Sequence, residues 1–117
     1  MKKISVVLVD DHAIMRAGLA SLLRTQHEIA VIGDAGDGKS GLDMALRTHP
    51  DVVIADLMMP EMDGVELTRL LHEQLPGSKI LILTSFGTAD GIAHALEAGA
   101  SGALLKTVEL PELLKAI

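Results

Sequence analysis

Polar residues that could bind a metal ion or a phosphoryl group follow several of the apolar runs in this sequence. These residues are Asp10, Asp11, Asp56, Thr84 and Lys106. Carboxylate oxygens bind hard cations such as Mg²⁺, and a carboxylate can also act as a nucleophile. A lysine ammonium and a threonine hydroxyl can hydrogen-bond the oxygens of a phosphoryl group. If the fold brings these side chains together, their chemistry favours phosphoryl transfer assisted by a cation.

Asp56 stands at the end of the most informative stretch. The four residues before it, 52–55, form an apolar run between polar segments, which predicts a buried parallel strand. Pro60 disfavours a helix at the residue before it, so residues 57–63 are predicted to form a loop. Ligands of open α/β sheets bind at the carboxyl ends of the strands. We therefore expect a rigid strand to present Asp56 beneath a constrained loop.

The rest of the chain repeats a unit of one strand followed by one helix. Apolar and β-branched runs predict strands at 4–9, 29–32, 52–55, 79–84 and 102–105. Helical periodicity predicts helices that begin near His12, after a loop at 33–38, at 65–75, at 88–98 before Gly99, and around Pro111. Five such βα units require a parallel sheet with right-handed crossovers and helices on both faces.

Parallel strands carry the residues that follow them to one edge of the sheet. The side chains expected at this edge are Asp10, Asp11, Asp34, Asp56, Thr84 and Lys106. The acids would concentrate negative charge, which a hard cation would neutralise. Mg²⁺ binds through one or two carboxylates and keeps several waters, which suits Asp11, Asp56 and a carbonyl of the following loop. Lys106 and Thr84 would then face the oxygens of a phosphoryl group.

The composition excludes several classes of protein. The 117 residues are 49% hydrophobic, enough for the core of one domain, which is predicted to span residues 1–117. The sequence has no cysteine, which excludes thiolate metal sites, and its net charge of −6 opposes direct nucleic-acid binding. Neither a signal peptide nor a membrane span is predicted, so the chain is expected to be cytoplasmic. Because the final helical pattern lacks a C-cap signal, we expect a longer protein.

Four motifs together resemble the receiver domains of response regulators, in the NarL/FixJ-type branch with LuxR-type output. The motifs are VDDH at 9–12, DLMMPEMDG at 56–64, LTS at 83–85 and AGASGALLK at 98–106. The resemblance covers the whole chain and implies a flavodoxin-like, doubly wound fold with strand order 2-1-3-4-5. It also implies a Mg²⁺ site with Asp11 and Asp56 as ligands, Asp10 acting largely through water, and the Met58 backbone carbonyl as a further ligand.

The same resemblance implies a signalling role. Asp56 would be the phosphoacceptor, Thr84 would hydrogen-bond the phosphoryl group and Lys106 would pair with it. The donor would be a phosphohistidine on a sensor histidine kinase, and the domain would catalyse only its own phosphorylation and dephosphorylation. A helix-turn-helix DNA-binding output domain is expected beyond residue 117, and phosphorylation is expected to promote a dimer.

A nucleotide-binding function is the alternative. Residues 33–40 match the phosphate-binding pattern G-x-x-x-x-G-K-[ST], and Gly36, Gly38 and Gly41 match the dinucleotide pattern G-x-G-x-x-G. Against it, Asp34 and Asp37 would put two negative charges into a loop that must hold phosphates. It would also leave the acids after the first strand without a role.

Two positions depart from the pattern of the family that the chain resembles. Ala103 occupies the place of the usual Tyr or Phe, and Thr107 follows Lys106 where many relatives have proline. Since Phe86 is the only Phe, Tyr or Trp in the chain, switching is expected to rely on backbone shifts at 84–88 and to be weaker. The five histidines show no ligand spacing and are expected at the surface or at helix caps.

Overall fold

A computed structural model describes residues 3–85 and 89–117. Its elements alternate strictly: β1 (Ile4–Val9), α1 (Ala13–Arg24), β2 (Ile29–Ala35), α2 (Gly38–Thr48), β3 (Val52–Ala55), α3 (Gly64–Gln74), β4 (Lys79–Thr84), α4 (Ala89–Ala98), β5 (Gly102–Leu105) and α5 (Leu110–Ala116). Every pair of neighbouring strands is parallel, and the strand order is β2-β1-β3-β4-β5. The predicted doubly wound, flavodoxin-like fold is confirmed.

The sheet is buried on both faces because alternate residues of each strand point to opposite sides. One core cluster contains Val7, Val9, Val53 and Ile82, together with buried residues of α2, α3 and α4. The other contains Val6, Leu8, Ile54 and Leu83, together with buried residues of α1 and α5. Two helical layers therefore cover the sheet, and its carboxyl edge stays open between them.

The predicted bounds of β1, β3, β4 and β5 are confirmed, but the prediction for β2 is wrong. We expected a strand at 29–32 and a loop from Gly33, whereas β2 continues to Ala35. After a register shift between Val6 and Val7, Gly33 and Asp34 pair with β1. Because β2 lies at the edge of the sheet and pairs on one side only, a glycine and a charged residue can extend it.

The helices begin within a few residues of the predicted positions. α1 starts after His12, which occupies its N-cap position, and α4 ends before Gly99, which has φ +120° as expected of a C′ glycine. The predicted start of the fourth helix at Thr88 lies outside the described residues. Along residues 3–85 and 89–117, no helix combines the length and apolar character that crossing a bilayer requires.

Candidate functional site

Asp56 is held rigidly at the carboxyl end of β3. Its backbone amide donates to the carbonyl oxygen of Val9 over 2.9 Å, which fixes it beside the end of β1. Its side chain is only 4% exposed. Helix α3 begins close against it, since a Cβ on Gly64 would collide with the backbone oxygen of Asp56. A glycine is therefore required at the start of α3, and the backbone of Asp56 is fixed between β1 and α3.

The turn between β1 and α1 brings two more acids to the same place. The amide of Asp10 donates to the carbonyl of Ala35 over 3.1 Å, which anchors the turn to the end of β2. Carboxylate oxygens of Asp10, Asp11 and Asp56 lie within 4.8 Å of one another. We call these three residues the acidic cluster. The structure thus brings together the three side chains that the sequence predicts as metal ligands.

Lys106 reaches the acidic cluster from the end of β5. Its Nζ lies 2.7 Å from Asp10 Oδ2 and 3.0 Å from Asp56 Oδ2, and its side chain is only 6% exposed. Burial alone would lower the pKa of Lys106, but hydrogen bonds to the two carboxylates and their charges outweigh burial and raise it. The ammonium therefore stays charged and neutralises part of the cluster.

Backbone contacts fix the segment that carries Lys106. The amide of Lys106 donates to the carbonyl oxygen of Thr84 over 2.8 Å, so the ends of β4 and β5 are joined directly. Thr84 itself is fully buried. No peptide bond in the described part of the chain is cis, so the bond before Thr107 is trans. The loop thus delivers the lysine to the cluster with a trans peptide bond before Thr107.

Met58 lies in the loop that follows β3, two residues beyond Asp56. Its amide donates to Asp56 Oδ1 over 3.4 Å, a long hydrogen bond, and its side chain is exposed. The backbone amide of Met58 therefore faces the Asp56 carboxylate. The role of the Met58 carbonyl as a metal ligand stays a prediction.

The contact of His12 with the acidic cluster is not among the features predicted from the sequence. The Nδ1 of His12 lies 3.3 Å from a carboxylate oxygen of Asp10 and 3.3 Å from one of Asp11. The ring is 64% exposed and His12 is at the helix N-cap, as expected, but the ring makes no cap hydrogen bond. Histidine spacing could not reveal this contact, because His12 has no histidine partner. The position of His12 directly after Asp10 and Asp11 was the signal in the sequence that could have indicated it.

Asp34 was expected at the sheet edge with the other acids, but it has a different partner. Its Oδ1 accepts a hydrogen bond of 2.9 Å from Nε of Arg16. The same guanidinium donates through Nη1 to the backbone oxygen of Asp10 over 2.6 Å. Arg16 therefore connects α1, the end of β2 and the turn that carries the acidic cluster.

The nucleotide-binding interpretation of residues 33–40 is wrong. Gly33 and Asp34 lie within β2 instead of a phosphate-holding loop. The carboxylate of Asp37 caps α2 and accepts hydrogen bonds from the amide and the hydroxyl of Ser40, at 2.8 and 3.0 Å. These hydrogen bonds lower the pKa of Asp37. A phosphate at this helix N-terminus would have to displace a carboxylate that already fills it.

Comparison with known proteins agrees with this geometry. The family model of the response regulator receiver domain matches residues 6–117 of this chain. The chain is 45% identical to the transcriptional regulatory protein LiaR of Bacillus subtilis over 114 residues, which are 97% of this chain and 54% of that protein. It therefore spans about half the length of this curated relative.

Two solved structures are similar over nearly the whole chain. The signal receiver domain of NarL from Mycobacterium tuberculosis has a TM-score of 0.94 at 31% identity, covering 99% of this chain and 94% of that one. A LuxR-family two-component response regulator from Aurantimonas has a TM-score of 0.91 at 33% identity, covering 97% of this chain and 81% of that one.

Proposed function

The chain belongs to the response regulator receiver family, and we propose that it accepts a phosphoryl group on Asp56. As a member of that family it is a regulatory domain of two-component signalling. The observation that carries the proposal is the buried Asp56 carboxylate, which lies beside two further acids and a lysine. In the reaction, an Asp56 oxygen bonds to phosphorus while the bond from phosphorus to its donor breaks. The product is an acyl phosphate on Asp56.

The donor atoms of the acidic cluster fit Mg²⁺. Asp10, Asp11 and Asp56 offer carboxylate oxygens within a few ångströms of one another, and Mg²⁺ prefers oxygen ligands. We assign Asp11, Asp56 and the Met58 carbonyl as direct ligands, with Asp10 acting largely through water. When bound, the ion would supply positive charge beside the acceptor oxygen and the incoming phosphoryl oxygens.

Lys106 and Thr84 would hold the phosphoryl group once it is attached. Lys106 Nζ lies 3.0 Å from Asp56 Oδ2, so an oxygen of a phosphoryl group on that side would come within its reach. Thr84 ends the strand next to β3, and its hydroxyl would hydrogen-bond another phosphoryl oxygen. Because the Lys106 amide is bonded to the Thr84 carbonyl, movement of one strand end would be passed to the other. The only catalysis proposed is that of the domain's own phosphorylation and dephosphorylation.

The proposed partners are a kinase and an output domain. A phosphohistidine of a sensor histidine kinase would supply the phosphoryl group. LiaR is a transcriptional regulatory protein of nearly twice this length, which supports a helix-turn-helix output domain beyond residue 117. The net charge of −6 favours leaving the DNA contacts to that domain. A regulator of transcription would act in the cytoplasm.

We further propose that phosphorylation promotes a dimer through the surface between α1 and α5. The two helices border a groove of about 440 Å³ lined by Ile14, Gly18, Leu22, Val108 and Leu110, with Lys106 at one side. Ile14 is 89% exposed, while the space over Gly18, one turn further along α1, is open. A two-fold contact between identical chains requires a self-complementary surface, and a projection beside a hollow on one helix can provide it.

Charge supports a second copy as the occupant of this groove. Apart from Arg16, which is paired with Asp34 of the same chain, α1 contains Arg24 and no acidic residue, whereas Glu109 and Glu112 lie at the start of α5. A two-fold contact would place the basic helix of one copy against the acidic helix end of the other. The contact of Lys106 with both the groove and Asp56 offers a route by which phosphorylation would alter this surface.

Sedimentation velocity with Mg²⁺ and beryllofluoride tests the dimer. The wild type is expected to dimerise on adding beryllofluoride, Ile14→Ser to remain monomeric, and Ile32→Ser, a control at another exposed apolar residue, to behave as the wild type. Dimerisation of Ile14→Ser, or a wild type that stays monomeric at high concentration, would exclude this interface.

Treatment with acetyl phosphate and Mg²⁺, followed by intact-mass measurement, tests the acceptor. The wild type should gain one base-labile phosphoryl group. Asp56→Asn should gain none, because the amide lacks the nucleophilic oxygen, while Asp43→Asn at an exposed position of α2 should match the wild type. Undiminished base-labile labelling of Asp56→Asn would reject the assignment.

A further inference from the structure

Arg16 makes two directional contacts at the base of the acidic cluster. Its Nη1 donates to the backbone oxygen of Asp10 over 2.6 Å, and its Nε donates to Asp34 Oδ1 over 2.9 Å. The Arg16 side chain is 20% exposed, so most of it is enclosed by protein. Because the planar guanidinium must satisfy both acceptors at once, these contacts fix its position relative to the turn after β1.

The carbonyl that Arg16 contacts belongs to the peptide group between Asp10 and Asp11. Rotation of this peptide group would turn the two carboxylates relative to each other and to Asp56. The turn lies outside β1 and α1, so the hydrogen bonds of regular secondary structure do not restrain this carbonyl. The contact with Arg16 supplies that restraint.

Gly36 makes room for the guanidinium. A Cβ at Gly36 would lie 3.3 Å from Nη1 of Arg16, closer than an ordinary van der Waals contact. Asp34 and Gly36 both belong to the stretch that resembles a phosphate-binding loop. The contact with α1 explains part of the composition of this stretch, because Asp34 binds Arg16 and Gly36 leaves space for its guanidinium.

We propose that Arg16 is a positioning residue that holds the Asp10 carbonyl so that the carboxylates of Asp10 and Asp11 converge with Asp56, and that it thereby strengthens Mg²⁺ binding. The inference rests on the proposed function, since it concerns the metal site of that reaction. It goes beyond that function by giving a role to a residue that touches neither the metal nor the phosphoryl group.

The direction in which Mg²⁺ affinity changes when Arg16 is removed distinguishes a positioning role from simple electrostatic repulsion. Arg16 carries a positive charge near a cation site, so Coulomb repulsion alone predicts that its removal tightens Mg²⁺ binding. Positioning predicts the opposite. Loss of a residue that orients metal ligands typically weakens metal affinity by about tenfold or more. The ion pair with Asp34 offsets the charge of Arg16, which leaves the orienting contact as the larger effect.

Isothermal titration calorimetry with MgCl₂ suits this protein, because it has no tryptophan or tyrosine to report binding by fluorescence. We expect Arg16→Ala to weaken Mg²⁺ binding by about tenfold. Arg16→Lys should also bind more weakly, because one ammonium cannot span both acceptors. Arg24→Ala, at the far end of the same helix, is the matched control and should bind as the wild type. Unchanged or tighter binding by Arg16→Ala, or full rescue by Arg16→Lys, would overturn the proposal.

A second measurement guards against a folding defect in Arg16→Ala. Gly36→Ala leaves Arg16 intact but crowds its guanidinium, and it should weaken Mg²⁺ binding in the same direction. In phosphorylation by acetyl phosphate, both variants should need more Mg²⁺ for half-maximal rate yet approach the wild-type rate at saturating Mg²⁺. A lower maximal rate with an unchanged Mg²⁺ requirement would overturn the positioning role. These outcomes concern metal affinity, so they stay distinct from a failure of Asp56 as acceptor, which Asp56→Asn reports.

Discussion

The ammonium nitrogen of Lys106 lies 3.0 Å from Oδ2 of Asp56, although β4 separates the two strands that carry these residues. The same nitrogen lies 2.7 Å from Asp10 Oδ2, so one cation joins residues that follow β1, β3 and β5. The proposed acceptor is thus paired with a charge before a phosphoryl group arrives. Phosphorylation would change which oxygen atoms the ammonium contacts. Lys106 would thereby transmit phosphorylation of Asp56 to the end of β5.

Replacing Lys106 by methionine should destabilise the domain without Mg²⁺. The variant keeps the apolar stem but leaves two largely buried carboxylates without their cation, which costs about 3 kcal/mol in the free energy of unfolding. Urea unfolding followed by circular dichroism at neutral pH measures this. Mg²⁺ should recover part of the loss, and Lys79→Met at an exposed position should change little. Equal stability of Lys106→Met and the wild type would refute the pairing.

The same pairing predicts a pH dependence in alkali. Burial alone would lower the pKa of Lys106, but its bonds to Asp10 and Asp56 raise it above the ordinary value of 10.5. The stabilisation is therefore complete below pH 10.5 and is lost as the pH rises through the higher pKa of the folded state. Above pH 10.5, the unfolding free energy of the wild type should fall more steeply than that of Lys106→Met. Parallel curves would contradict the raised pKa.

Asp11→Ala should retain the fold and bind Mg²⁺ more weakly. Loss of a residue that merely orients a metal ligand costs about tenfold in affinity, so loss of a direct ligand should cost at least as much. Removal of one acid from the cluster should also stabilise the metal-free domain by relieving repulsion. Calorimetric titration checks the affinity, with Asp43→Ala at an exposed position of α2 as control. Unchanged Mg²⁺ affinity would mean that the ion is held elsewhere.

Asp37→Ala should weaken α2 and leave phosphoryl uptake intact. The Asp37 carboxylate caps the helix through Ser40, and these bonds lower its pKa. A lowered pKa contributes stability above the ordinary value of 3.8, and this stability is lost as the pH falls through the lower value. The variant should therefore lose less stability in acid than the wild type. A gain of affinity for ATP or a loss of phosphoryl uptake in Asp37→Ala would show that Asp37 does more than cap α2.

Ala103→Tyr should alter switching without altering phosphoryl uptake. Ala103 is half-buried against the core on β5 and pairs with Ile82 on β4, and a methyl group has no rotamer that could change with Thr84. Phe86, the only Phe, Tyr or Trp in the chain, lies outside the residues that the structure describes. Amide chemical shifts with and without beryllofluoride measure how far each protein moves towards the active conformation. This population shift should be smaller in the wild type than in Ala103→Tyr. Equally large shifts in α4 and β5 of both proteins would show that the ring is dispensable.

Local patterns in the sequence predict most of the fold because its strands are buried on both faces. Short, continuously apolar runs mark β1, β3, β4 and β5, and the first polar residue after a run marks the sheet edge. Since all strands are parallel, the residues that follow them lie at one edge of the sheet. The backbone positions of Asp10, Asp56 and Lys106 at that edge therefore did not depend on the orientation of their side chains. The strand order did not follow from periodicity, and only the resemblance carried by the motifs supplied it.

The tertiary structure decided the features that depend on partners distant in sequence. β2 runs on to Ala35 because β1 offers it backbone partners, which the local pattern of a glycine and an aspartate does not reveal. Arg16 is bonded to Asp10 and Asp34, and His12 is turned toward the cluster, because packing selects one of several rotamers of similar local energy. Residue types and spacing therefore determined which chemistry the sheet edge could support, while the directional contacts that orient it arose only when separate elements met.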